Sequence, residues 1–104
     1  MIIANCSTSA QYFHLLRAQM RRNYRKPLIV VAPKKMLKFR PASSEIYEFG
    51  AGKRFKRVSE DTNANIVDDD KVRKVLYCSG QVYYELEAKR QKEGNNDVAI
   101  VRVE

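Results

Sequence analysis

The segment that most constrains the fold begins with a helix cap and ends with an apolar strand. Thr8 and Gln11 have the spacing of a capping box, in which each side chain satisfies an open backbone N–H of the first helical turn. Pro27 cannot continue a helix and also disfavours helical geometry at Lys26. The run 28–32 is apolar at every position, which is typical of a parallel strand covered on both faces. This order predicts a helix that leads into a buried strand.

The predicted helix has one apolar stripe. Phe13, Leu16 and Met20 recur at helical spacing and are expected to form its buried face, with Arg17 and its neighbouring arginines projecting away from it. A strand over residues 1–4 would complete a strand, helix, strand unit with parallel strands.

The second half of the chain predicts another unit of the same kind. Residues 41–44 are turn-rich, 45–49 suit a short helix, and 56–59 suit a short strand. Residues 59–70 are polar and lack an apolar period, so we expect a surface loop there that tolerates sequence change. The remaining predicted elements are a strand over 72–78, a tight turn at 79–80, a helix over 81–93 and a strand over 97–103. Val82, Tyr83 and Leu86 are expected to be the apolar face of that helix, and Gly94 its end.

Length and composition describe a small α/β fold. The chain has 104 residues, of which 44% are apolar, so it has room for one small core. No stretch approaches the 18 or so apolar residues of a membrane span, so we expect no membrane-spanning segment.

Positive charge is concentrated in the first half. Residues 1–57 hold 13 lysines and arginines against two glutamates, whereas residues 58–104 hold seven against ten acidic residues. No acidic residue lies between Arg17 and Arg40, and Tyr24 and Phe39 are interleaved with the cations. Three interpretations stay open: a face that meets solvent or an acidic surface of another domain or subunit, a contact for a small anion or nucleotide, and nucleic-acid binding that falls with salt.

Motifs for catalysis are nearly absent, and we predict no catalytic, cofactor-binding or metal-binding residue. His14 is the only histidine and has no acidic residue near it in sequence, which favours a packing or hydrogen-bonding role. Cys6 and Cys78 are far apart in sequence and are interpreted as buried structural thiols. No cysteine and histidine cluster has metal-ligand spacing.

Three short segments resemble ligand motifs only in part. Residues 50–53 have the glycines of a phosphate loop, but Tyr47 stands where the first glycine is needed and Arg54 where a hydroxyl should reach Mg²⁺. Residues 68–70 lack the alternating ligands of a calcium loop. Residues 78–80 lie at the mouth of a predicted parallel strand, where α/β proteins often bind ligands, but a small residue and a glycine also serve a close turn into a helix.

Four segments together resemble a known enzyme family. They are Tyr-Phe-His-Leu-Leu-Arg-Ala-Gln at 12–19, Arg-Lys-Pro-Leu-Ile-Val at 25–30, Val-Leu-Tyr-Cys-Ser-Gly-Gln-Val-Tyr-Tyr at 75–84 and Asp-Val-Ala-Ile-Val-Arg-Val-Glu at 97–104. With the turn at Pro33 and Lys34, they resemble the thiamine diphosphate-dependent decarboxylating component of the 2-oxoglutarate dehydrogenase complex. Ala18, Phe39 with Arg40, and Gln81 depart from the family pattern.

The resemblance implies an architecture and an activity. It implies a transketolase-like parallel α/β fold, with residues 1–38 ending the second, pyrimidine-binding domain, 39–54 forming a linker and 55–104 beginning a C-terminal domain that would be cut short. It implies oxidative decarboxylation of 2-oxoglutarate in the tricarboxylic acid cycle, with thiamine diphosphate and Mg²⁺ bound elsewhere in the full enzyme. This segment would be scaffold, inactive alone. Implied partners are the rest of its own chain, a second copy in a homodimer, a lipoyl-bearing succinyltransferase and dihydrolipoamide dehydrogenase; the implied location is the mitochondrial matrix in a eukaryote or the cytoplasm in a bacterium.

Three other hypotheses stay open at this point. The chain could belong to the closely related 2-oxoadipate dehydrogenase component, because the substrate pocket lies elsewhere. Charge alone would suit a small basic nucleic-acid-binding protein. A stand-alone α/β interaction module derived from the enzyme domain would share the same segments.

Overall fold

The computed structural model describes all 104 residues, numbered 1–104. The strands are β1 (Ile2–Ala4), β2 (Leu28–Val30), β3 (Val58–Ser59), β4 (Lys74–Cys78) and β5 (Val98–Val103), and the helices are α1 (Ser9–Arg21) and α2 (Val82–Glu93). Short 3₁₀ turns occupy Lys34–Lys38, Arg40–Ala42, Ile46–Phe49 and Asp69–Lys71. Neither α1 nor α2 has the length and apolar character of a membrane-spanning helix.

The first unit is a parallel strand pair joined through α1. Ile2 pairs with Leu28 and Ala4 with Val30, which confirms the predicted strand, helix, strand order. Ala4 is buried while its neighbour Ile3 is exposed, because successive side chains point to opposite faces of a strand.

Two expectations about this unit were wrong. The strand β2 is shorter than predicted, and Ile29 and Val31 are half-exposed because no element of the chain lies over that face of the pair. The buried side of α1 is formed by Ala10, Gln11, His14 and Leu15 rather than by the apolar stripe. Phe13, Leu16 and Met20 are exposed by 42%, 43% and 72%. The core side of α1 combines Leu15 with small and polar residues whose partners lie far along the chain, and hydrophobic spacing alone does not reveal it.

The second unit is a mixed sheet with the order β3–β5–β4. The strands β4 and β5 are parallel, as expected for a crossover through α2, but β3 runs antiparallel to β5, so the all-parallel expectation was wrong for this sheet. The molecule is therefore a small α/β fold with one parallel and one mixed sheet. Its most deeply buried apolar side chains are Leu15 of α1 and Ile100 of β5.

The observed limits of α2 match the prediction to within one residue, but the residues that it buries are not all those that were predicted. Gly94 takes a left-handed conformation at its end, with φ of 67°, where a residue with a Cβ would be strained. Tyr83 and Arg90 are buried, whereas Val82 is half-exposed, so the expectation for Val82 was wrong. An arginine holds the place of an apolar core residue because it has buried polar partners, described below.

Candidate functional site: a polar junction between the two units

Ser7 lies at the centre of a hydrogen-bonded junction between the two units. It sits in the connection from β1 to α1 and is completely buried. Its backbone N–H donates to Glu104 Oε2 at 2.6 Å, and its hydroxyl donates to Glu104 Oε1 at 2.5 Å. Arg102 Nη1 donates to the same hydroxyl oxygen at 3.2 Å, and the Tyr84 hydroxyl donates to the Ser7 carbonyl. Every polar group of this serine is therefore satisfied by residues from the other half of the chain.

Arg102 links the charged and aromatic parts of the junction. Its guanidinium lies 4.4 Å from the ring centroid of Tyr83, within the range of a cation–π contact. Burial raises the pKa of Tyr84 to about 12, and the nearby Arg102 charge offsets this only in part. Tyr84 is therefore a neutral hydrogen-bond donor at physiological pH.

The two thiols near this junction are held in their protonated form. Burial, and then the charge of Glu104, raise the pKa of Cys6 to about 11. Burial also raises the pKa of Cys78, where Arg102 acts in the opposite direction. Both cysteines are free thiols and are half-buried, so the expectation that they are buried was wrong. Because the thiolate is the nucleophile, this environment suits structural cysteines and not reactive ones.

Gln11 forms a second connection between the units. Its Oε1 accepts from the Lys56 N–H at 3.0 Å, and its Nε2 donates to the Lys56 carbonyl at 2.6 Å and to Ser59 Oγ at 3.3 Å. The side-chain amide thus pairs with one backbone residue in both directions, as a neighbouring strand would. The predicted capping box is half right: Thr8 Oγ1 does accept from the Gln11 N–H at 3.3 Å, but the Gln11 side chain points to the second unit.

At the carboxyl end of β4, the Asn5 side chain lies against residues 79–80 and occupies the space where a ligand could bind. Gly80 has a positive φ of 59°, and a Cβ built there would lie 2.5 Å from Asn5 Oδ1. Asn5 Nδ2 lies 3.5 Å from Ser79 Oγ. The small residue and the glycine at 79–80 therefore serve a close turn against the first unit, which is the simpler of the two interpretations of this motif.

A cleft of about 420 Å³ lies beside the junction, at the carboxyl ends of β1 and β2. Its walls include Ser7, Tyr12, Met36, Lys38 and Arg40, and no lining residue is a carboxylate or a histidine. Such a set can bind by shape, hydroxyl groups and positive charge, but it holds no carboxylate or imidazole for general acid–base catalysis.

The other residues that the sequence analysis considered for ligand binding or catalysis form no site in the structure. His14 is buried and its Nε2 lies 2.7 Å from the Glu48 carbonyl, which fits the predicted hydrogen-bonding role. Gly52, in the segment that resembles a phosphate loop, has a positive φ of 78° and no atom within 4 Å of the place of a Cβ, so its backbone conformation and not a close contact favours glycine there. No group of three or more His, Cys, Asp or Glu side chains is placed to hold a metal ion.

A buried ion pair anchors the loop that was expected to vary freely. The Asp61 carboxylate accepts from Arg90 in a bidentate pair and from the Ile100 N–H at 2.7 Å, and Arg90 also donates to the Val98 carbonyl at 2.9 Å. Side-chain exposure is only 8% for Asp61 and 3% for Arg90. The loop is irregular as predicted, but free variation was the wrong expectation at Asp61.

Comparison with known proteins shows the family of the chain. The model of the 2-oxoglutarate dehydrogenase C-terminal family matches residues 43–104. The chain belongs to that family. The resemblance found in the sequence is confirmed, and these comparisons do not favour a nucleic-acid-binding protein.

The relatives extend the likeness over the entire chain. The proteins named 2-oxoglutarate dehydrogenase E1 component in Brucella anthropi, Brucella ovis and Brucella canis are each 41% identical over 111 residues. Each alignment covers 100% of this chain and 11% of the relative. The chain therefore spans about a tenth of the length of these enzymes.

Sequence reasoning missed the residues that build the junction. Ser7, Arg102 and Glu104 carry no local motif, and the hydrogen bonds of the junction join residues 77 to 97 positions apart. Gln11 was noticed only as a cap. The one available signal was a polar residue on the side of α1 opposite its apolar stripe.

Proposed function

We propose that this chain forms part of the C-terminal region of a 2-oxoglutarate dehydrogenase E1 component. The activity would be the oxidative decarboxylation of 2-oxoglutarate with transfer of the succinyl group to a lipoyl partner in the tricarboxylic acid cycle. The observation that carries the proposal is the 41% identity to such enzymes over the whole chain, with the family match over residues 43–104 in support.

Within that enzyme the chain's role is structural. The resemblance implies thiamine diphosphate and Mg²⁺, but the residues present do not fit that group, because no acidic or histidine cluster is placed for a metal and the cleft has no acid–base pair. What the chain does supply is a hydrogen-bonded polar junction through Ser7 and Gln11. The junction would hold the end of a transketolase-like domain against the start of the C-terminal domain.

The remaining parts of the proposal follow from membership of the complex. The rest of the enzyme chain, a second E1 subunit, a lipoyl-bearing succinyltransferase and dihydrolipoamide dehydrogenase would be its partners. The location would be the mitochondrial matrix or the bacterial cytoplasm, according to the source.

A segment exchange tests this function. The corresponding segment of the Brucella anthropi E1 component is replaced by this chain, and 2-oxoglutarate-dependent activity is measured, with an enzyme lacking the segment as the control. We expect the exchanged enzyme to be active and the deleted enzyme to be inactive. An exchanged enzyme that sediments as the native one does but has no activity would refute the assignment.

A further inference from the structure

The exposed side of α1 combines apolar and cationic groups on one continuous surface. Phe13, Leu16 and Met20 lie along it at helical spacing, Arg17 lies beside Phe13, and Arg21 follows Arg17 one turn on, at the edge of this side. The Arg17 guanidinium is 5.7 Å from the Phe13 ring centroid. We call these five residues, together with Lys53, the basic α1 face.

The turn after the third 3₁₀ segment extends this face. Arg17 Nη2 donates to the Lys53 carbonyl, which fixes the turn beside the helix. Lys53 Nζ lies 5.6 Å from the Tyr47 ring centroid, and Phe13 packs edge-on against Phe49 at 5.5 Å between centroids. The cations are therefore held over aromatic rings at defined places.

No carboxylate of the chain forms an ion pair with the cations of the basic α1 face. All five ion pairs of the molecule lie within residues 61–97, and none involves the 13 cations of residues 1–57. The two glutamates of that half, Glu45 and Glu48, are used to cap the Ile46–Phe49 turn. A partner that supplies carboxylates would meet unpaired cations, and one that also supplies apolar groups would cover the exposed stripe.

From this complementarity we propose that the basic α1 face docks an acidic amphipathic polypeptide segment. Its apolar side chains contact Leu16 and Met20, and its carboxylates pair with Arg21 and Lys53. A nucleic acid would use the cations but leave the apolar stripe exposed, so a polypeptide fits the whole face better. The inference rests on contacts and charges of this chain and does not depend on the proposed enzyme activity.

The probe is a fluorescein-labelled helical peptide with leucines at positions i, i+3, i+4 and i+7 and glutamates elsewhere. Binding to the full chain is followed by fluorescence anisotropy. The same peptide with glutamines in place of the glutamates and a labelled duplex DNA are compared with it. We expect the acidic peptide to bind more tightly than either.

Two double variants test whether the peptide binds at the basic α1 face, and neither changes a residue of the polar junction. Arg21→Gln/Lys53→Gln removes two cations, and Leu16→Gln/Met20→Gln removes the apolar stripe. The first should weaken binding of the acidic peptide by about fivefold to tenfold, the effect of one or two partly exposed ion pairs. The second should weaken it by at least about fivefold, because each apolar side chain that is no longer buried costs about 1 kcal/mol or more. The control, Lys74→Gln/Lys92→Gln, removes two cations of the other half that take part in no ion pair, and should leave binding unchanged.

Several results would overturn the proposal. Equal binding of the acidic and neutral peptides would remove the electrostatic argument, and tighter binding of the DNA would assign the face to nucleic acid. An equal loss in the Lys74 and Lys92 control would show attraction to net charge alone. Salt-sensitive dimers in sedimentation of the chain without peptide would make a second copy the occupant.

Discussion

At the scale of single residues, buried polar side chains hold the two halves together. Gln11 is 92% removed from solvent and makes three hydrogen bonds to the second unit. Ser7, Arg102 and Glu104 form the other connection. Because a buried donor or acceptor left without a partner costs about 1–3 kcal/mol, such residues are hard to replace.

The Gln11→Ala variant tests the first connection. It removes the acceptor of the Lys56 N–H, so that amide should exchange with solvent about tenfold faster, as expected for a loss near 1.4 kcal/mol. Amide hydrogen exchange measured by NMR reports this directly. The control is Gln91→Ala, because the exposed Gln91 side chain donates a hydrogen bond to Glu87 within α2 and none to the first unit. Unchanged exchange at Lys56 would contradict the role given to Gln11.

The Asp61→Asn variant tests the buried ion pair. The variant leaves the buried Arg90 guanidinium with one carboxylate, that of Glu87, instead of two, which should destabilise the fold by about 1.5–3 kcal/mol. The exposed pair of Arg73 and Asp97 offers a matched control, because Asp97→Asn should cost no more than about 1 kcal/mol. Thermal unfolding followed by circular dichroism measures both. Equal losses for the two variants would refute the special position of Asp61.

The same pair predicts a dependence on pH. Burial alone would raise the pKa of Asp61, but hydrogen bonds from Arg90, Ile100 and Asn63 outweigh it and hold the pKa below 3.8. A carboxylate whose folded pKa is lowered contributes stability that is complete above its unfolded pKa and is lost as pH falls through the folded value. The difference in melting temperature between the wild type and Asp61→Asn should therefore be constant near neutral pH and shrink below about pH 4. A constant difference down to pH 2 would argue against the ion pair.

At the scale of elements, the sequence predicted which segments are helices and strands better than which faces are buried. Caps and breakers such as Thr8, Pro27 and Gly94 act locally, so α1, β2 and α2 were located to within a few residues. The buried side of α1 depends on partners more than 30 positions away, and no local pattern encodes them. For the same reason the antiparallel placement of β3 beside β5 was not foreseen.

The turn from β4 into α2 can be tested with two glycines. Gly80 and Gly52 both have positive φ, but only at Gly80 would a Cβ meet another side chain, that of Asn5. Each substitution to alanine should lower the free energy of unfolding by about 1 kcal/mol, because alanine disfavours the left-handed conformation. Gly80→Ala should lower it further, because the new Cβ would clash with Asn5. Adding Asn5→Ala to Gly80→Ala should recover the excess, as measured by thermal unfolding. If Gly80→Ala and Gly52→Ala are equally stable, the close contact with Asn5 is not formed.

At the scale of the whole molecule, much apolar surface remains open. Only 13 of the 104 residues are buried, and one face of the β1 and β2 pair presents Ile3, Ile29 and Val31 to solvent. The family resemblance was recognisable from sequence because its segments are local and ordered along the chain. The junction was not, because it forms only when both units have folded. An apolar parallel pair with an open face and open edges is the surface that a larger α/β enzyme would cover.

Amide hydrogen exchange in the two contexts tests this account most directly. Exchange at residues 28–30 is measured in the isolated chain and in the Brucella anthropi E1 component that carries this chain in place of its own segment. The Ile100 amide, which is bonded to Asp61 within the chain, serves as the internal reference. The account predicts that exchange at 28–30 slows by at least about tenfold in the enzyme, while Ile100 changes little. Equal exchange at 28–30 in both contexts would contradict the claim that this chain is one structural segment of a larger enzyme.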